Sequence, residues 1–330
     1  MQKRTDVTSI LIVLPNWLGD AVMATPAIEL LCEFYPHATL TLVGSYVSIE
    51  ALKHHPLCKN AYIDETKSGG SRFFNTYKFA KKIGKHDVAI SFRNQIHASL
   101  LLWWSNSKVT IARDSWHATL LLKLHPKPRS GHLVKQYTSL VERVTDEEVL
   151  SIPPLRLFIT PHHYEKPTLG INPGATYGSA KRWYPEKFAQ VAAHYADTYE
   201  IIIFGGPTET EMAAAIDKEL KELGVKNLRN VAGKTSIEEL CAYIGGLSLF
   251  ITNDSGPMHV AAAYQVPTVS IFGPTRHLET SQWKNRQSNI VRHEIECAPC
   301  MKRECPLKHH ECMKLIEADE VIDAIEKLAP

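Results

Sequence analysis

The chain has 330 residues, 44% of them hydrophobic and 22% charged, with a formal net charge of +2. This is a globular composition with length for two domains, which argues against a disordered or low-complexity chain. No run of about 18 apolar residues is present, which argues against a transmembrane helix.

The first apolar stretch, SILIVLP, runs directly into a polar, patterned segment and predicts a core strand, not a signal peptide. Short β-branched runs then recur at 10–14, 39–43, 87–91 and 108–112, with helical patterns at 20–35 and 73–84. Residues 1–165 carry 19 Lys and Arg against 14 Asp and Glu, whereas the remainder carries 18 against 21. Within 66–135 there are 13 basic residues and two acids, Asp87 and Asp114, which favours an anionic partner over a merely solvated face. A proline-rich connector covers about 151–168. The alternation restarts with strands at 169–173, 200–206, 227–233, 249–253 and 268–273. Helices are predicted at 185–197, 209–223, 236–246 and up to Tyr264, and an amphipathic helix at 317–328. Strands alternating with helices predict parallel sheets. The expected fold is α/β, with two Rossmann-like doubly wound domains, 1–165 and 166–330, facing each other across a cleft. The last helix could pack back towards the first domain.

Ligands of such sheets sit outside the carboxyl ends of the strands, so strand-to-helix junctions deserve a chemical reading. The segment TNDSGPMH (252–259) follows one strand and opens a helix. Ser255 or Gly256 can cap that helix, and Pro257 suits its first turn. The exposed amides and dipole of a helix start suit a phosphate, with Gly256 allowing close approach. Asp254 could accept from sugar hydroxyls and His259 could donate to a phosphate. A capped helix with a satisfied histidine explains the same residues about as well. A second junction, NPGATYGSAKRW (172–183), offers Thr176 and Lys181 among glycines and hydroxyls, as a phosphate-holding loop requires. It lacks Walker A spacing, and no strand is followed by GxGxxG, which disfavours nucleotide hydrolysis and dinucleotide-dependent hydride transfer. Two anion-ready junctions in one domain suggest a diphosphate ligand such as a nucleotide-sugar. In the first domain, NWLGDAVM places Asp20 at a helix start, as a dipole partner or as a general base.

Seven cysteines, odd in number and three of them isolated, fit a reducing cytosol better than a disulfide framework. Cys297, Cys300, Cys305 and Cys312 form the exception. Their spacing admits a structural zinc, with reduced thiols packing a loop as the simpler reading.

Together, NWLGDAVMATPAI, NPGATYGSAKRWYPEKF, TNDSGPMHVAAAYQVPTVSIFGPT and CAPCMKRECPLKHHEC resemble the ADP-heptose:lipopolysaccharide heptosyltransferases of glycosyltransferase family 9. The likeness runs from about residue 10 to residue 312, and its cysteine stretch is more like that of the enzyme adding the second heptose than the first. The resemblance implies a GT-B fold and an inverting, metal-independent transfer of L-glycero-D-manno-heptose from ADP-heptose. The implied acceptor is the first heptose of the inner core on Kdo2-lipid A. By the same resemblance Asp20 is the general base. Thr176, Lys181, Asp254, Ser255, Gly256 and His259 would hold the donor, and the basic stretch 66–135 would meet the acceptor. The expected location is cytoplasmic, peripheral at the inner face of the inner membrane, with no nucleic-acid partner. Transfer to a different inner-core acceptor is the alternative; a non-catalytic protein binding an anionic glycan or nucleic acid would leave Asp20 and Lys181 without a role.

Overall fold

A computed structural model of the chain describes residues 5–127 and 129–328. Residues 1–4 and 329–330 of the expected domains, and Pro128 of the basic stretch, lie outside the described residues. The chain forms two compact units, Met1–Phe158 and Ile159–Pro330. The connector from 159 onwards is tied into the second unit. The Ile159 carbonyl accepts from the Tyr264 hydroxyl, and the His162 amide donates to the Ala242 carbonyl, each at 2.8 Å.

The first unit runs β1 (Ser9–Val13), α1 (Leu18–Met23), α2 (Thr25–Phe34), β2 (Thr39–Gly44), α3 (Tyr46–Leu52) and β3 (Cys58–Ile63). It continues with α4 (Arg72–Ile83), β4 (Val88–Ser91), α5 (Ile96–Trp104), β5 (Val109–Ala112), α6 (Trp116–Leu121) and α7 (Leu133–Thr145). Its sheet has the order β3-β2-β1-β4-β5, and the pairings are parallel. Ile10, Leu11, Ile12 and Val13 of the central strand are all buried, which is why the run is continuously apolar. The helical pattern at 20–35 resolves into two helices. Pro26 has no N–H to donate and sits in the first turn of α2, so the chain restarts there. Strand β3 has no counterpart among the predicted elements. It is an edge strand with most of its side chains exposed, so it carries no apolar alternation.

The second unit runs β6 (Thr168–Asn172), α8 (Pro185–His194), β7 (Glu200–Ile203), α9 (Thr210–Glu222), β8 (Leu228–Asn230), α10 (Ile237–Gly245) and β9 (Leu249–Asn253). It ends with α11 (Gly256–Ala263), β10 (Thr268–Ile271), α12 (His277–Thr280), β11 (Ser288–Val291), α13 (Glu311–Lys314) and α14 (Ala318–Glu326). The parallel sheet is ordered β11-β10-β9-β6-β7-β8. Val321, Ala324 and Ile325 of α14 are buried, and the helix packs on α8, β10 and β11 of its own unit. No helix among the described residues is long and apolar enough to cross a membrane.

In both sheets the winding reverses beside the first strand: β1 lies between β2 and β4, and β6 between β7 and β9. The crevice outside the carboxyl ends at such a reversal is where doubly wound sheets bind ligands.

Candidate active site

In the second unit the reversal brings together the junctions after β6 and β9. Asn253, the last residue of β9, clips them: its Nδ2 donates to the Pro173 carbonyl at 2.6 Å and its Oδ1 accepts from the Trp183 amide at 3.2 Å. Asn172, the last residue of β6, donates through Nδ2 to the Ser255 hydroxyl at 3.2 Å. Ser255 is the N-cap residue of α11, yet its side chain makes no capping bond because it is turned towards Asn172 and Thr252. The first amides of α11 thus have no serine oxygen across them.

Lys181 ends a single 3-10 turn, Ser179–Lys181, in the loop after β6. Its Nζ lies 2.5 Å from Oδ2 of Asp254, and the Thr275 hydroxyl donates to the same oxygen at 2.5 Å. The carboxylate is buried, so the ammonium arrives at the switch point already partnered by an anion. The ammonium also lies 4.8 Å from the centre of the Tyr177 ring, and the Arg303 guanidinium lies 5.4 Å from that ring. Of the residues singled out in the sequence, Lys181, Asp254 and Ser255 are thus brought together, with Gly256 next in the chain. His259 is buried at the fourth position of α11, and Thr176 is exposed in the loop.

Thr275 and Asn172 were not anticipated, and neither was Glu209. Glu209 sits in the 3-10 turn after β7, buried, with Oε2 accepting from the Gly206 amide at 2.8 Å. Its Oε1 is buried without a hydrogen-bond partner, an expensive state for a carboxylate oxygen. The carboxyl group packs on Gly174 so closely that a Cβ there would fall 2.0–2.2 Å from its atoms, so any side chain at that position would displace the carboxyl group. A donor from a ligand lying along the 174–182 loop would satisfy that oxygen.

In the first unit, Asp20 is the third residue of α1, in the crevice after β1, and is half-buried. Burial pushes the Tyr137 phenol well above its usual range, with the charge of Asp20 adding to the effect and that of Arg113 opposing it. The Asp20 carboxylate therefore shares its surroundings with a neutral phenol and a guanidinium. Arg113 follows β5 and Arg93 follows β4. Arg93 Nη1 lies 2.6 Å from Oδ2 of Asp64 and its Nε donates to the Leu14 carbonyl at 2.5 Å. Arg93 Nη2 and Arg113 Nε are buried with no acceptor. Two unmet guanidinium donors at the carboxyl end of one sheet suit an anionic group.

Cys297, Cys300, Cys305 and Cys312 line one pocket together with His309 and His310. Among the described residues, however, no group of three or more His, Cys, Asp or Glu side chains is arranged to hold a metal ion. Burial, with the charges of the other three cysteines adding, pushes the Cys312 thiol up to about 11. The segment also braces the loop that follows β6. The Met301 carbonyl accepts from the Tyr177 hydroxyl at 2.8 Å, and the Arg303 carbonyl accepts from the Ala180 amide at 3.0 Å.

The family model for glycosyltransferase family 9 (heptosyltransferase) matches residues 76–311. The lipooligosaccharide heptosyltransferase 2 of Campylobacter jejuni serotype O:6 is 38% identical over 327 residues, covering 97% of this chain and 99% of that protein. Its namesake from Haemophilus influenzae is 24% identical over 351 residues, with 97% and 99% covered. Among solved structures, the Escherichia coli ADP-heptose LPS heptosyltransferase II matches with a TM-score of 0.80 at 21% identity, over 97% of this chain and 98% of that one. The Escherichia coli heptosyltransferase WaaC with ADP matches with a TM-score of 0.78 at 18% identity, over 98% and 100%.

Proposed function

From the premise that the chain belongs to glycosyltransferase family 9, the heptosyltransferases, we propose that it moves L-glycero-D-manno-heptose from ADP-heptose to the first heptose of heptosyl-Kdo2-lipid A. It is a glycosyltransferase of the GT-B fold acting in the lipopolysaccharide inner core. The donor-site reading is supported by one observation: Lys181, paired with Asp254, stands at the reversal between β6 and β9, in the loop whose Gly174 packs against the buried Glu209 carboxyl.

In this reading the donor lies on the second unit. Lys181 and the open amides of α11 meet the diphosphate, and Glu209 accepts from a donor hydroxyl. A hydroxyl of the acceptor heptose attacks the anomeric carbon from the face opposite the diphosphate. Its proton passes to the Asp20 carboxylate as the new C–O bond forms, and the old anomeric C–O bond breaks with its electron pair leaving on ADP. Configuration at that carbon inverts. Fixed cationic and dipolar groups meet the charge that develops on the leaving diphosphate, so the reaction needs no metal ion. Arg93 and Arg113 hold acidic groups of the acceptor, carboxylate or phosphate. The lipid-linked acceptor sets the workplace at the cytoplasmic face of the inner membrane.

The choice of second-heptose transfer rests on the likeness to heptosyltransferase 2 of Campylobacter jejuni. A heptosyltransferase 3 of Escherichia coli is 26% identical over 336 residues, which makes a later acceptor the alternative. ADP release from ADP-heptose, measured with EDTA present, separates them. The expected substrate is heptosyl-Kdo2-lipid A. Turnover confined to Kdo2-lipid A or to a di-heptosylated core would overturn the acceptor assignment, and no turnover on any of them would overturn the reaction.

A further inference from the structure

We propose that the face formed by α4 and α5 is a docking surface for an anionic lipid bilayer, an inference that deepens, and rests on, the reading of a lipid-linked acceptor. Phe73, Phe74 and Tyr77 on α4 are 49%, 63% and 43% exposed, and Trp103 on α5 is 50% exposed. The half-buried Trp104 joins them into one patch, its ring centre 4.7 Å from Phe73, 5.5 Å from Tyr77 and 5.8 Å from Trp103. Phe74 extends it from Phe73 at 5.8 Å. Rings left this open in a contiguous group mark an interaction site, not a surplus of core residues.

Helical spacing sets cations directly behind the rings. Phe73, Tyr77 and Lys81 follow one another at four-residue steps, as do Phe74, Lys78 and Lys82. Lys81 Nζ lies 5.5 Å from the Tyr77 ring centre. Between 66 and 86 the sequence holds six Lys or Arg and no Asp or Glu. Aromatic rings beside long-stemmed cations match the interfacial layer of a bilayer, where rings sit at headgroup depth and ammonium groups reach lipid phosphates. The same unbalanced charge repels a second copy of this face, which disfavours self-association through it. It attracts an anionic leaflet.

The test is co-sedimentation of the full chain with vesicles of phosphatidylcholine alone or with about 30% phosphatidylglycerol, without donor or acceptor. Two variants are compared with the wild type: Phe73→Ser/Phe74→Ser/Trp103→Ser and Lys78→Gln/Lys81→Gln/Lys82→Gln. The wild type should bind the anionic vesicles at least about tenfold more strongly than the neutral ones, and each variant should lose about tenfold or more. Both variants should keep the thermal stabilisation by ADP, which reports an intact second unit. Equal binding of wild type and both variants to anionic vesicles overturns the proposal. So does a wild-type dimer that ignores vesicles and is dissolved by the aromatic substitutions. Anionic-vesicle binding that persists even if no acceptor supports ADP release sustains this surface while the proposed reaction falls.

Discussion

Substituting Asp254→Asn probes the ion pair on which the proposed donor site rests. The buried carboxylate oxygen pairs with the Lys181 ammonium and accepts from the Thr275 hydroxyl, both at 2.5 Å. Asn preserves shape and one acceptor oxygen but removes the charge, leaving the ammonium without its carboxylate. Breaking a buried pair from one side costs roughly 3–5 kcal/mol. The Lys181 side chain keeps 12% of its surface in contact with water, so the lower end, about 3 kcal/mol, is expected. At roughly 2–4 °C per kcal/mol for a domain of this size, the melting temperature should fall by about 6–12 °C. Lys181→Met removes the other charge, and the double variant should be less destabilised than the sum of the singles by roughly 1–3 kcal/mol. ADP adds a second reading. At about 100 times its Kd a ligand stabilises the native state by about 2.7 kcal/mol. In the Asn variant the diphosphate supplies the anion the lysine has lost, so ADP should raise its melting temperature further than it raises that of the wild type. Thermal unfolding of the four proteins, with and without ADP, measures both effects. Single substitutions that add to within about 0.5 kcal/mol, with equal ADP shifts, would refute the coupling.

Asp20→Asn should fold and bind ADP normally while transfer falls by roughly 10²–10⁴; wild-type turnover would remove Asp20 from the chemistry. Gly178→Ala would put a methyl 2.2 Å from the Arg303 carbonyl oxygen, which is main chain and must be displaced. Calorimetry should then show ADP binding weakened by about tenfold, and an unchanged Kd would mean the 174–182 loop does not carry the donor. Asp87 is held well below the usual carboxylate range by Lys108 first and then by the Thr8 amide. A depressed carboxyl stabilises the fold above the unfolded value near pH 4, and that contribution is lost as pH falls further through the folded value. Denaturant midpoints between about pH 4 and pH 2 should therefore drop less steeply for Asp87→Asn than for the wild type, and identical slopes would clear Asp87 of the acid response.

How far the site could be read in advance depended on distance along the chain. After β6 and β9, the strand end, glycine, hydroxyl and helix start are consecutive residues, so a short window contains both the chemistry and its position. The order of strands then places both windows at one reversal. Partners farther off leave no such trace. Thr275 lies 21 residues from Asp254 and reads as an ordinary loop threonine. Arg93 and Arg113 are two of 13 basic residues in 66–135, and no linear pattern separates a buried guanidinium from a solvated one. Glu209 belongs to a stretch that draws notice only for lacking a dinucleotide fingerprint. Its value appears once its carboxyl group is seen against Gly174.

The cysteine stretch shows the same limit from the opposite side. Its side chains are conspicuous and suggest a metal, yet two of its contacts with the 174–182 loop run through main-chain carbonyls, Met301 to Tyr177 and Arg303 to Ala180, beside the His310 ring against the Ala180 carbonyl and the Arg303 guanidinium over the Tyr177 ring. Every residue has a carbonyl, so such contacts have no signature in the residues that supply them. The constraint shows only on the receiving side. Gly178 is required because any side chain would strike the Arg303 carbonyl, and Tyr177 because only a hydroxyl at that reach meets the Met301 carbonyl while its ring lies near the Lys181 ammonium. The loop that carries Lys181 is therefore specified in part by the main chain it presses against. Cys300→Ser and Cys305→Ser should accordingly change ADP affinity far less than Gly178→Ala, and a reversed order would return the cysteines to the centre of the site.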